Sequence, residues 1–225
     1  MISFKKKIKY DKDYFENGIA KNISCYENYR WLPELTYPMA YSVAECLQLK
    51  KNDYVLEYGC AHGYLVKALN DFGINAYGLD ISEYALKNCP SDIKNKVNII
   101  KKDNLLKALK KFKIQKKIID YTISKDVMEH IEKNKLPSIL KKLSKCSKYL
   151  FVVVPLGDES KYRIDTYHLD KTHLIAENEK WWTKLFKANG FKLMKFKYKI
   201  EGIKDKWYKI NKKGNGFFFL KSKNI

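Results

Sequence analysis

Five short apolar runs recur through the middle of the chain, at about 53–58, 75–80, 97–101, 117–124 and 148–154, with helical apolar spacing in the stretches between them. This alternation predicts a parallel sheet with helices on both faces, because parallel neighbours need a crossover connection. Two more strands, at 191–200 and 216–220, fall outside that rhythm, with Gly214-Asn-Gly216 as turn material beside them. They predict an antiparallel pair at the sheet edge. Residues 1–50 form a segment apart: a polar, tyrosine-rich arm through Tyr29, a stretch containing Pro33 and Pro38, then a helix from about Met39 to Leu49. The two prolines mark turns or helix starts. The segment is expected to act as a lid over a site in the domain at 51–225.

The strand at Tyr54-Val-Leu runs into Glu57-Tyr-Gly-Cys-Ala-His-Gly63 and then into the helical pattern Tyr64-Leu-Val-Lys-Ala-Leu. Glycines in such a turn let backbone approach a ligand, and the free amides of the helix start can receive an anionic group. The spacing narrows the choice of ligand. In the best register of a dinucleotide G-x-G-x-x-G pattern, Glu57 and His62 hold two of the three glycine positions, which argues against NAD or FAD. Gly63 is followed by Tyr64 and Leu65 rather than Lys and Ser/Thr, which argues against a P-loop. The acidic Glu57 at the strand end suits a positively charged ligand without a pyrophosphate. S-adenosylmethionine (SAM), with an ammonium and a sulfonium, is one. Asp80 ends the next strand, roughly 20 residues beyond the glycine turn, as expected of a carboxylate that grips ribose hydroxyls. Ser82 follows as the N-cap of a helix.

With these residues the chain resembles the class I SAM-dependent methyltransferases over roughly residues 50 to 200, most closely the subgroup acting on small molecules and sugars. The matching segments are Glu57 to Gly63, Leu79-Asp80-Ile81, Lys102-Asp103-Asn104, and Asp120 to Ile131. The resemblance implies a Rossmann-like, mostly parallel sheet of about seven strands with helices on both faces and the antiparallel C-terminal edge pair. It also implies Glu57, Gly59, Cys60, Ala61 and Gly63 around the methionine part of SAM. Asp80 and Ile81 would meet the ribose and Asp103 and Asn104 the adenine edge, with Lys125 at the end of the fourth strand. Cys60, Ala61 and His62 fill variable positions of the loop.

Methyl transfer from a sulfonium needs alignment and exclusion of water, and a hydroxyl acceptor gains from a base, for which histidine suits neutral pH. His173, His168 and His130 are the candidates. The first two lie in the polar segment Gly157 to His173, which is long for a connection after a fifth strand and reads as a functional loop. Its Asp170-x-x-His173 also resembles a motif of the small-molecule subgroup. Asp126, Glu129 and His130 stand at i, i+3 and i+4, so on a helix they would share a face. That arrangement could bind a metal, and it resembles the carboxylate and histidine pattern of metal-assisted methyltransferases, including small-RNA 3′-end enzymes, in which His168 or His173 would complete the site; it also fits a capping box with Asp126 as the cap. The capping box is preferred and no metal ligand is assigned. Trp181 and Trp182 are expected on a later helix, with at least one packed in the core.

Composition changes the picture in two places. The formal net charge of +20 invites a nucleic-acid reading, yet Arg30 and Arg163 are the only arginines among 45 basic residues. Arginine is the preferred bidentate reader of phosphates and bases, so solvated lysine faces are favoured over a nucleic-acid footprint. A small-molecule or glycan acceptor is expected ahead of RNA. The five cysteines form no Cys-x-x-Cys pair, no apolar run reaches about 18 residues, and the N-terminus lacks an apolar leader. A cytoplasmic protein with reduced thiols and no membrane partner is expected.

Overall fold

The computed structural model describes residues 8–101, 104–112 and 118–225. Seven strands form one sheet: β1 (Tyr54–Tyr58), β2 (Asn75–Asp80), β3 (Val97–Ile99), β4 (Ile119–Lys125), β5 (Ser147–Pro155), β6 (Phe191–Lys197) and β7 (Asn215–Ser222). Their order is β3-β2-β1-β4-β5-β7-β6, with the first five parallel and β7 antiparallel to both β5 and β6. The expected C-terminal pair is therefore present, with the last strand lying inside its partner. The expected strand at 191–200 ends at Lys197, and Ile200 instead forms an isolated bridge with Ile203 ahead of a helix.

Strand alternation sends neighbouring side chains to opposite faces. Leu56, Leu79, Leu150 and Val152 fill one core layer, while Val55, Ala76, Phe151 and Val153 fill the other. Helices α5 (Leu105–Lys110), α6 (Leu136–Ser144) and α7 (Glu179–Ala188) cover the first layer. Trp182 on α7 is fully buried there, and Trp181 packs against the same layer. Helices α2 (Pro33–Leu47) and α3 (Tyr64–Asp71) cover the second. Helix α2 starts earlier than the sequence predicts. Pro33 takes the first helical position, where a missing amide costs nothing, and Thr36 Oγ1 donates to the Leu32 carbonyl at 2.9 Å. Pro38 then lies inside the helix and forgoes one backbone bond.

The arm carries α1 (Lys12–Glu16), capped by Asp11, and docks on both sides of the crevice above β1 and β4. On one side Ser82 Oγ donates to the Tyr10 carbonyl at 2.5 Å and the Tyr84 hydroxyl bonds Glu16. On the other, the Tyr14 hydroxyl donates to Asp170 Oδ2 at 2.9 Å and the Lys171 amide to the Ile23 carbonyl at 3.0 Å. Among the described residues no helix is long and apolar enough to cross a membrane, and all five cysteines are free.

Candidate functional site

Strand order reverses between β1 and β4, and in open α/β sheets ligands bind outside the carboxyl ends of the strands at such a point. A cavity of about 1110 Å³ lies there. Glu57, next to last in β1, is 8 % exposed, and its Oε2 has no hydrogen-bond partner. Burial pushes its carboxyl up to about 8, with Lys125 opposing the rise and Asp80 adding to it. A buried acceptor without a donor is costly, and a ligand ammonium would satisfy it.

That shift has a testable consequence. Because the folded state holds the Glu57 proton more tightly than the unfolded chain, the folded state binds more protons between about pH 4.5 and 8, and stability falls as pH rises through that window. Glu57→Gln is expected to flatten this part of the stability curve, raise the apparent Tm of the ligand-free protein near pH 8, and weaken SAM binding. Thermal scans across pH check it. An unchanged slope would mean that Glu57 does not titrate as its burial requires.

Asp80 ends β2 with each oxygen already accepting one backbone amide, Oδ2 from Ala61 and Oδ1 from Ser82, both at 2.7 Å. An ionised carboxylate offers about four acceptor sites, so lone pairs remain for two ribose hydroxyls. Ser82 also caps α4 (Glu83–Lys87), as the sequence predicts. Gly59 has φ +86°, and a Cβ there would lie 2.3 Å from Val127 Cγ2. The glycine thus makes room for the loop after β4. Gly63, at φ +75°, faces Ile93 and Val97 and does not line the cavity. Its freedom serves the packing of the α3 start. Cys60, Ala61, Ile81 and Lys125 do line it. Asn104 caps α5 through the Lys107 amide and is not among the described residues that line the cavity, and Asp103 lies outside the described residues.

At the far end of the cavity the structure corrects the reading of Asp126 to His130. No α-helix starts there: residues Met128–His130 make one 3-10 turn, Asp126 has φ +56°, and the turn has no side-chain cap. Burial alone would raise the Asp126 carboxyl, but the ammonium groups of Lys125, at 2.7 Å, and Lys204 hold it well below the usual range. Glu129 is fully buried with both carboxyl oxygens unpartnered, and burial, then Asp126, push its carboxyl well up.

The three histidines separate by position. His130 lines the cavity, and burial, then His173, lower it to about 4. His173 stands behind it with ring centroids 4.5 Å apart, also lowered by burial. His168 is turned away from the cavity: its Nε2 accepts the Tyr162 amide at 3.1 Å, and its ring packs on Tyr162. That bond removes the lone pair a base would use. The loop itself is held by Arg163, which bonds Asp158 twice, Glu179, and the Lys213 carbonyl.

Sequence reasoning missed Tyr10, Tyr14, Tyr26 and Tyr29, all of which line the cavity. Their spacing follows no helix or strand period, and the only signal was the density of tyrosine in the arm.

The chain matches a family model described as a methyltransferase domain over residues 31–195. No curated relative matches it by sequence. Among solved structures it is similar to a chain of the complex between the Haloferax volcanii Trm112 methyltransferase activator and a methyltransferase. The identity is 14%, the likeness covers 84% of this chain and 91% of that one, and the TM-score is 0.64. A SAM-dependent methyltransferase from Archaeoglobus fulgidus is 18% identical over 81% of this chain and 92% of its own, with a TM-score of 0.58. The mitomycin 7-O-methyltransferase is 14% identical over 84% of this chain and 54% of its own, with a TM-score of 0.57. At these identities the likenesses speak for the fold. The unpartnered Glu57 oxygen and the amide-held Asp80 fit a cofactor that carries an ammonium and a ribose. With that fit and the family match over most of its length, the chain belongs to the methyltransferase-domain family as a class I SAM-dependent enzyme.

Proposed function

We propose that this enzyme methylates an oxygen or nitrogen of a small-molecule or glycan-like acceptor enclosed between the sheet and the N-terminal arm. The observation that carries this reading is the cavity. At about 1110 Å³ it exceeds the roughly 300–1,000 Å³ common for a single small ligand, which leaves room for cofactor and acceptor together. It runs from Glu57 and Asp80 to Tyr10, Tyr14, His130 and Thr172, and arm residues line one side of it. An aromatic-lined, partly enclosed space suits a compact acceptor better than a polymer.

When bound, SAM supplies the electrophilic methyl carbon, so no covalent enzyme intermediate is needed. In this reading Glu57 receives the cofactor ammonium and Asp80 the ribose hydroxyls. The arm's tyrosines exclude water and align the acceptor, which is where most of the acceleration in a two-substrate displacement arises. His130 is the acceptor-orienting group among the candidate histidines, with His173 acting through it. Five free thiols support a reducing, cytoplasmic setting.

The test is incubation with isotopically methyl-labelled SAM and a panel of hydroxyl, amine, glycan and RNA acceptors, read by mass spectrometry of the product. Labelled small molecules are expected. Any RNA binding is expected to be weak and to fall steeply with salt, since the basic surface is almost all lysine. Tight, salt-tolerant binding to one RNA, with methyl transfer to it, would replace the small-molecule reading.

A further inference from the structure

Thr172 has one hydroxyl hydrogen to give. Its Oγ1 stands 2.6 Å from Asp170 Oδ1 and 2.7 Å from His130 Nδ1. Were the hydrogen turned to the ring, two oxygens with nothing between them would face each other at the shorter distance, so the threonine donates to the carboxylate and can only accept from His130. His130 therefore carries its proton on Nδ1 and its lone pair on Nε2. Because the side chain lines the cavity with Nδ1 held back by Thr172, Nε2 is the nitrogen left to meet an acceptor.

Asp170 is itself held from two directions. The Thr172 backbone amide donates to the same Oδ1 at 2.9 Å, and the Tyr14 hydroxyl, from the N-terminal arm, donates to Oδ2 at 2.9 Å. Tyr14, Asp170 and Thr172 are all buried, so water does not compete for these bonds. The threonine is left with one orientation.

We propose that Asp170 and Thr172 are positioning residues for methyl transfer to a hydroxyl: they hold His130 as the Nδ1–H tautomer, so that Nε2 takes the acceptor's proton. An unrestrained neutral imidazole favours the other tautomer, with the hydrogen on Nε2 and no lone pair there. Which nitrogen is free is set by the bond that the other makes. The inference rests on the methyltransferase reading for the role of the base, and on the contacts alone for its tautomer. In the step assigned to it, the acceptor O–H bond breaks as the Nε2–H bond forms. The pair left on oxygen bonds the methyl carbon, and the pair of the old carbon–sulfur bond stays on sulfur. The imidazolium keeps its Nδ1 hydrogen on Thr172, with the Asp170 carboxylate behind, and returns the new proton to solvent. Oxygen is favoured over nitrogen as the acceptor atom, because a neutral amine already presents its lone pair and needs no such base.

The test is a two-bond ¹H–¹⁵N spectrum of the full chain labelled at its four histidines, recorded at about pH 8, above the value of about 6.5 at which an ordinary imidazole titrates. The signal lost in His130→Gln assigns that ring. His168, whose Nε2 accepts the Tyr162 amide, must appear as Nδ1–H throughout and serves as the control. His130 is expected as Nδ1–H in the parent and in Thr172→Ser, which keeps the hydroxyl, and to shift toward Nε2–H in Thr172→Val. With a hydroxyl acceptor in hand, Thr172→Val should lower kcat by about 10-fold or more, part of the roughly 10²–10⁴ that a positioned base supplies, while Thr172→Ser keeps most of the rate. Unchanged SAM affinity by calorimetry shows that the variants are folded. An Nε2–H ring in the parent overturns the proposal, as does a tautomer unchanged in Thr172→Val, or methylation confined to nitrogen. A parent with the expected tautomer that binds no SAM overturns the methyltransferase reading instead, and with it the role of the base but not the tautomer.

Discussion

Asp80→Ala is expected to lower SAM affinity by roughly 100-fold or more, because hydrogen bonds to a charged group contribute about 1.5–3 kcal/mol each and two ribose hydroxyls lose their acceptor. The same change strips the Ala61 and Ser82 amides of the carboxylate that now orders both loops. The loss should therefore exceed that of Asp80→Asn, which keeps one acceptor oxygen. Isothermal calorimetry on the three proteins decides the matter. Equal affinity in Asp80→Ala would remove Asp80 from the cofactor site, and an absence of SAM binding by the parent would end the cofactor assignment altogether.

The second large effect is expected at Gly59. A valine there meets two obstacles at once: a β-branched side chain at φ +86°, and a Cβ 2.3 Å from Val127 Cγ2. Backbone strain of about 1–3 kcal/mol and overpacking of about 1–3 kcal/mol would together consume much of a typical domain's stability. Gly59→Val should give little folded protein and no SAM binding. The gentler pair Gly59→Ala and Val127→Ala separates the two causes. Shortening Val127 should return part of the stability lost in Gly59→Ala, a favourable coupling of about 0.5 kcal/mol or more in chemical denaturation. Zero coupling would show that the left-handed backbone, and not Val127, is what demands glycine.

The sheet was legible because its central strands β1, β4 and β5 are largely buried on both faces and so appear as nearly continuous apolar runs, Leu150 to Val154 above all. The cofactor end was legible for a related reason: Glu57, Gly59 and Asp80 sit at the ends of adjacent strands, within one stretch of chain. The stretch from Asp126 to His130 was not. Its spacing reads as a helix start, but Lys204, 78 residues away, pairs with Asp126 and the backbone turns left-handed instead. The acceptor end escaped local reading too, since it joins the arm, the loop after β4 and the residues around Thr172. His168 and His173 look alike in sequence, and only the Tyr162 amide on one and the Tyr167 carbonyl on the other tell them apart.

The bond from Tyr14 to Asp170 spans 156 residues, and Asp170 in turn holds the threonine that orients His130. The sheet can form largely from neighbouring strand-helix units, whereas this chain of contacts closes only after the N-terminal arm meets a segment more than 150 residues further along the chain, and such non-local closure is the slow part of folding. Competence for catalysis is accordingly acquired last: a nascent chain that has completed its cofactor crevice still lacks an ordered acceptor site until the N-terminal arm returns to meet residues made long after it.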